Sequence, residues 1–154
     1  MLDEIIKASA EHSVKVASLV AKLLQALVGH KREIDLEQLT AVSKSLLSEG
    51  SGFHVFLYLV EGIEVGVITV SQSAAIYAGG HYGVIEELYV EPEYRSRLIG
   101  KALLNRVVSF AREQEWPRLE VSTPEKEHWQ RTIDFYRREG FVDNSIGERL
   151  KLNL

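Results

Sequence analysis

The sequence predicts an α/β (α+β) domain with a mixed, mostly antiparallel sheet of about seven strands flanked by four helices. Segments with the period of two that is typical of strands alternate along the chain with segments of helical period. The dipeptide Glu61-Gly62 separates two apolar runs, a pattern typical of a tight hairpin between antiparallel strands. An apolar run at residues 84–90 is followed by a turn, a helix and another strand at 118–122, which indicates one parallel step in the sheet.

Length and composition narrow the class of protein. A chain of 154 residues with 45% hydrophobic and 26% charged residues predicts one ordinary globular domain over residues 1–154. Because there is no cysteine, a thiolate nucleophile, a zinc–thiolate site and a disulfide framework are excluded. A net charge of −4 argues against nucleic-acid binding. The N-terminus lacks the basic flank of a secretory signal and the longest apolar stretch is interrupted by polar residues, so we expect a cytoplasmic protein without a membrane segment.

The first third of the chain contains one strand and two helices. A short strand is predicted at residues 5–9. Apolar residues at helical spacing predict a helix over 11–28, which ends at Gly29. A second helix is predicted from Asp35, a favourable N-cap residue, to Gly50.

The central strand at residues 84–90 carries an unusual pair of carboxylates. It follows two predicted strands, at 53–60 and 63–70, and a glycine-containing segment, 71–83, that is expected to form a flexible loop. Apolar residues occur on both of its alternating faces, which indicates that both sides are covered, yet Glu86 and Glu87 lie in its middle. Strict alternation would point the two side chains to opposite faces. A buried carboxylate is costly unless it is paired, solvated by a cleft or used chemically, so at least one of them is expected to face a cleft.

A turn with the features of a phosphate site follows this strand. Pro92 ends the strand, and apolar residues at helical spacing resume at Ile99 and continue to about Trp116. The turn contains Arg95, Arg97 and Gly100, so free amides and the positive end of a helix dipole are expected at one point. Such a point binds phosphate groups.

The remaining elements complete the predicted sheet. After the strand at 118–122, a fourth helix is predicted over about 127–139, with Gly140 as its C-terminal cap. Two further strands are predicted at 141–142 and 149–154. The five histidines show no metal-ligand spacing, so no metal site is expected.

Two segments stand out beside the order of elements: LYVEPEYRSRLIG at 88–100 and DFYRREGF at 134–141. In these segments, and in the order of elements over essentially the whole length, the chain resembles the GNAT superfamily of acetyl-CoA-dependent N-acetyltransferases. In the family the first segment contains Arg/Gln-x-x-Gly-x-Gly/Ala. Arg95 and Gly100 match that pattern, whereas Leu98 replaces the first glycine. This leucine would weaken phosphate binding if its position required a positive φ.

The resemblance implies acetyl-CoA as co-substrate and assigns roles to particular residues. The backbone of Leu88, Tyr89 and Val90 would bind the thioester carbonyl and the pantetheine amides. The pyrophosphate would be held by the residues of the turn and the helix start: Arg95, Ser96, Arg97, Leu98, Ile99, Gly100 and Lys101. Tyr136 matches the tyrosine that protonates the coenzyme A sulfur, although helical periodicity alone would favour a core residue.

Amine acetylation also requires a base, for which Glu86, acting directly or through a water, is one candidate and Glu87 the other. Two carboxylates beside a cleft would attract a cation, so a polyamine-like small-molecule amine is the preferred acceptor, acetylated directly in a ternary complex. A protein amine remains an alternative, as does a non-catalytic module that binds coenzyme A and acts through a partner. No nucleic-acid or membrane partner is expected. Homodimers are frequent in the family, and no sequence feature decides the oligomeric state.

Overall fold

The computed structural model describes residues 2–29, 32–122, 126–144 and 150–154, without the side chains of 126–128. The chain divides into two units, Met1–Ser122 and Thr123–Leu154. The elements of the first unit are β1 (Asp3–Lys7), α1 (Ser13–Val28), α2 (Leu36–Leu46), β2 (Phe53–Val60), β3 (Ile63–Ala75), β4 (Gly80–Val90), α3 (Ile99–Glu113) and β5 (Leu119–Val121). The second unit contains α4 (Lys126–Arg138), which is interrupted at Trp129 by a non-helical backbone conformation (φ −129°, ψ 30°).

The sheet has the order β1-β2-β3-β4-β5. Each of the first three strands pairs antiparallel with the next, and β5 pairs parallel with β4. The predicted mixed, mostly antiparallel sheet and its parallel step are therefore confirmed. The predicted helix start at Asp35 is also confirmed, because its carboxylate accepts a hydrogen bond from the Gln38 amide at 3.1 Å.

The sheet has five strands in the described part of the chain, so the prediction of about seven is wrong. Residues 141–142 and 150–154 form no strand, and residue 149 lies outside the described residues. Leu150 and Leu152 alternate with polar residues but are 96% and 84% exposed. An alternating apolar and polar pattern shows that residues suit a strand. A strand also needs a neighbouring strand with which its backbone groups can pair, and the pattern does not reveal whether one is present.

The segment predicted as a flexible loop, 71–83, is mostly sheet. β3 continues to Ala75 and β4 begins at Gly80, with Gln72 opposite Gly83 in the register. Apart from Tyr82, the side chains of these two strand ends are small or polar, which is why the hydrophobic pattern missed the strands. Backbone hydrogen bonds between the two strands do not depend on that pattern.

Helices cover both faces of the sheet, as the apolar residues of both parities in β4 predicted. On one face, α1 residues such as Val16 and Val20 form a core cluster with Val55, Val67 and Tyr89. On the other face α3 approaches so closely that a β-carbon at Gly66 would lie 3.1 Å from Leu103 and 3.3 Å from Ile99. This arrangement fixes the face toward which each side chain of β4 points.

Candidate active site

A β-bulge interrupts β4 at the two glutamates. Thr69 on β3 lies opposite Glu87, and the next residue, Val70, lies opposite Ile85, which leaves Glu86 as the extra residue. Opposed residues of an antiparallel pair share a face of the sheet. Ile85 therefore shares the face of Val70, and Glu87 shares the opposite face, that of Thr69.

The bulge brings both carboxylates to one face. The Ser71 hydroxyl donates a hydrogen bond to Glu86 Oε2 at 2.8 Å, and the Thr69 hydroxyl donates to Glu87 Oε1. Thr69 and Ser71 are two residues apart on β3, so their side chains point the same way. The expectation that the glutamates face opposite sides is wrong, because it assumed an unbroken alternation.

Glu87 lies in an apolar groove formed by α1, α2 and the sheet. Two hydroxyl side chains, Ser43 and Thr69, also line it. The remaining lining residues are aliphatic or aromatic: Val16, Val20, Leu39, Val42, Leu46, Leu47, Phe53 and Val55. Burial raises the pKa of Glu87, the hydrogen bond from Thr69 lowers it in part, and the nearby charge of Glu86 raises it further.

Thr69 holds Glu87 at two points. Its hydroxyl accepts a hydrogen bond from the Glu87 amide at 3.0 Å and donates one to the Glu87 carboxylate. The residue is only 1% exposed, so both bonds are shielded from water. Sequence reasoning missed Thr69, since only the register of β3 against β4 reveals it. Glu86, in contrast, is exposed and does not line the groove.

The turn between β4 and α3 has the backbone geometry that the glycine pattern implies. Leu98 is the N-cap of α3 and has a left-handed conformation (φ 61°, ψ 20°), and Ser96 also has a positive φ of 67°. The Ala102 amide donates to the Leu98 carbonyl at 3.0 Å. The backbone amides of the first helical residues come before this hydrogen bond, so they have no carbonyl acceptor within the helix. The position of the missing glycine thus does adopt a positive φ, and a leucine occupies it.

The two arginines of this turn have different surroundings. Arg95 donates from Nε to the Val90 carbonyl at 2.9 Å, and its guanidinium lies 5.4 Å from the centre of the Tyr89 ring. Arg97 lies over the ring of Tyr94 at 5.1 Å. Both arginines are exposed residues. Arg95 therefore ties the turn to the end of β4, and both arginines add positive charge beside the start of α3.

The partner of β4 on its parallel side is shorter than β4 itself. Pairing runs from Gly83 opposite Leu119 to Ile85 opposite Val121, where β5 ends, whereas β4 continues to Val90. Along a strand, the N–H and C=O groups of successive residues point alternately toward the neighbour on one side and the neighbour on the other. Backbone groups in the predicted segment Leu88 to Val90 are therefore presented along an edge that β5 does not cover.

Tyr136 belongs to the second unit, on α4. It is buried, and its ring centre lies 5.2 Å from that of Phe135 and 5.4 Å from that of Phe141. Burial raises the pKa of Tyr136 well above its usual range. Its hydroxyl therefore keeps its proton at neutral pH.

No cluster of three or more His, Cys, Asp or Glu residues suits a metal ion among the described residues. None of the helices in the described ranges is both long and apolar enough to cross a membrane.

The family of the chain follows from comparison with known proteins. Residues 51–143 match the model of the acetyltransferase (GNAT) domain, which spans the bulge, the turn and α4. The chain therefore belongs to the GNAT family of acetyltransferases. It is an acetyl-CoA-dependent N-acetyltransferase, as the resemblance implied.

Solved structures share this fold at low identity. A ribosomal-protein-alanine N-acetyltransferase from Brucella melitensis is 20% identical with a TM-score of 0.78, covering 99% of this chain and 100% of that one. A predicted acetyltransferase with acetyl-CoA from Clostridium acetobutylicum is 20% identical with a TM-score of 0.79, covering 99% and 96%. An aminoglycoside acetyltransferase from an uncultured soil sample, in complex with sisomicin, is 22% identical with a TM-score of 0.76, covering 99% and 96%. No curated protein matches the chain.

Proposed function

We propose that the protein transfers the acetyl group of acetyl-CoA to a primary amine of a small molecule in a ternary complex, with Glu87 as the general base. One observation carries this proposal. The Glu87 carboxylate lies in an apolar groove, is held by Thr69, and has a pKa raised by burial. A carboxylate with a raised pKa is a stronger proton acceptor than an exposed one.

The two candidates for the base differ in their surroundings. Glu86 is exposed and accepts a hydrogen bond from Ser71. Glu87 lines the groove and is fixed by a buried hydroxyl, so its carboxylate has one defined position toward a bound amine. These differences support Glu87 as the base and give Glu86 an electrostatic role, since its charge raises the pKa of Glu87.

The turn and the start of α3 suit the pyrophosphate of coenzyme A. The predicted residues Arg95 to Lys101 combine two positive-φ positions, the N-terminus of a long helix and two exposed arginines. Amides at a helix N-terminus bind phosphate oxygens, and neighbouring arginines add attraction. The backbone edge at Leu88 to Val90, which β5 does not reach, suits the amides of the pantetheine arm.

Acetyl-CoA supplies a thioester whose acyl carbon can accept an amine. In the proposed reaction Glu87 takes a proton from the bound ammonium group, which frees the nitrogen lone pair for attack. A nitrogen–carbon bond forms as the carbon–sulfur bond breaks. Tyr136 gives its hydroxyl proton to the leaving sulfur, the role that the resemblance assigns, and regains a proton when the nitrogen releases its second one to solvent.

The acceptor is proposed to be cationic before it reacts. The sequence favoured a polyamine because of the paired carboxylates, and their position on one face supports attraction of a positive charge. Glu87 alone of the two lines the groove. An acceptor therefore needs only one ammonium group to meet the proposed base.

Thiol release from acetyl-CoA with a panel of small amines tests this function. We expect Glu87→Gln to lower kcat/KM about 10²- to 10⁴-fold and the matched variant Glu86→Gln to retain most of it. Near-normal activity of Glu87→Gln would exclude Glu87 as the base.

A second variant tests catalysis against a purely regulatory role. Tyr136→Phe should lower kcat while leaving the affinity for coenzyme A, measured by isothermal titration, unchanged, because only the hydroxyl is removed. Unchanged turnover in this variant would contradict the assigned proton transfer. Binding of coenzyme A without turnover of any amine would favour the regulatory module.

A further inference from the structure

The groove beside Glu87 is small. It is partly open and provides about 60 Å³ of free space. Since a buried water needs at least about 10–15 Å³, this is room for only a few water-sized groups. A compact alkyl chain or small ring fits such a space, whereas the linked rings of an aminoglycoside would extend far beyond it.

The groove offers few polar partners. Among the described residues, Glu87 is the one titratable residue that lines it, and the Thr69 hydroxyl already bonds with the Glu87 amide and carboxylate. Ser43 is the remaining polar side chain of the lining. A second ammonium group, or several hydroxyls, would lie among valine and leucine side chains without partners, which is unfavourable.

Helix α2 forms one apolar wall of the groove. Its lining residues Leu39, Val42 and Leu46 occur at helical spacing, yet none of the helix residues is buried. Val42 is 45% exposed. This apolar stripe is therefore partly exposed, and an apolar ligand in the groove would pack against it.

We infer that the acceptor is a primary amine on a compact apolar body, bound along α2 with its nitrogen at Glu87. The inference rests on the proposed function and narrows its acceptor. The single carboxylate matches one ammonium group, and the apolar lining matches an uncharged body. It departs from the polyamine preference, because a polyamine would bring its second charge into the apolar part of the groove.

Two amines of equal length test the inference. n-Pentylamine and 1,4-diaminobutane have the same number of non-hydrogen atoms and differ in a terminal methyl or ammonium group. With the wild-type chain we expect kcat/KM for n-pentylamine to exceed that for 1,4-diaminobutane by about 10- to 100-fold. This comparison depends on no variant. Equal or faster acetylation of the diamine would overturn the inference and leave the proposed function standing.

A matched pair of variants locates the effect in the groove. Val42→Glu places a second carboxylate in the lining, whereas Ala41→Glu places the same charge on an exposed residue of α2 that does not line it. We expect the preference for n-pentylamine to fall at least about fivefold in Val42→Glu and to persist in Ala41→Glu. An equal change in both variants would overturn the assigned groove. If acetyl-CoA binds but no amine is acetylated, the proposed function fails together with the inference.

Discussion

Leu98 is the residue whose replacement tests the turn before α3 most directly. Its left-handed conformation (φ 61°, ψ 20°) brings the β-carbon close to the backbone, at a cost of about 1–2 kcal/mol. Leu98→Gly removes that cost, while the greater freedom of glycine in the unfolded chain costs about 0.5–1 kcal/mol. The side chain is 73% exposed, so little burial is lost. We expect a net gain of about 0.5–1 kcal/mol in the free energy of unfolding, or about 1–4 °C in Tm.

Urea unfolding of three proteins measures this effect. Leu98→Ala is the matched control, because it shortens the side chain and keeps the strained β-carbon. Leu98→Gly should therefore be more stable than both Leu98→Ala and the wild type. Isothermal titration should show coenzyme A binding to all three within about threefold, since the amides at the helix start are already in place with leucine.

Two results would refute this reasoning. If Leu98→Gly is no more stable than Leu98→Ala, the residue does not have the left-handed conformation. If glycine tightens coenzyme A binding by a factor of ten or more while stability is unchanged, the leucine obstructs the phosphate site and the turn is not preformed.

Three further predictions concern the bulge and the sheet. Glu86 and Thr69 act on the pKa of Glu87 in opposite directions. Glu86→Gln removes a neighbouring negative charge and should shift the acidic limb of the kcat/KM profile to lower pH. Thr69→Val removes a hydrogen bond to the carboxylate and should shift the same limb to higher pH. Since burial raises the pKa of Glu87 above its ordinary value of 4.5, the folded chain binds the extra proton, and the contribution of this carboxyl to stability is full below pH 4.5 and lost as pH rises through the folded-state pKa. Glu87→Gln should therefore raise Tm at pH 8 and leave it nearly unchanged at pH 4; an equal shift at both would contradict the raised pKa. Gly83→Ala would place a β-carbon 2.6 Å from Trp116 and should lower the free energy of unfolding by about 1–3 kcal/mol in urea titrations, and a neutral result would show that the ring moves aside.

The sequence predicts the helices, the hairpin and the family from local signals. Asp35 precedes an amphipathic helix and caps it, and Glu61-Gly62 joins two strands as expected. Such features depend on residues close together in the chain, so their pattern can be read without the fold.

Features that depend on register could not be read in the same way. Both faces of β4 are covered by apolar groups, so an extra residue at Glu86 leaves no mark on the hydrophobic pattern. The partner of Glu87, Thr69, lies 18 positions away in sequence and is identified only by strand pairing. The replacement of the glycine by Leu98 is visible in the sequence, whereas its positive φ is a property of the folded turn.

The bulge at Glu86 has a consequence for comparing this chain with its relatives. A one-residue insertion in a strand offsets every position on one side of it relative to the other, so Ile85 and Glu87 belong to different faces although they are two apart. Counting from Gly80 forward at period two would therefore assign Glu87 to the face of Ile85. Counting backward from Val90, which pairs with Gly66, assigns it correctly. An alignment of β4 anchored at its end should thus identify the equivalent of this glutamate in other members of the family, and one anchored at its beginning should miss it wherever the bulge is absent.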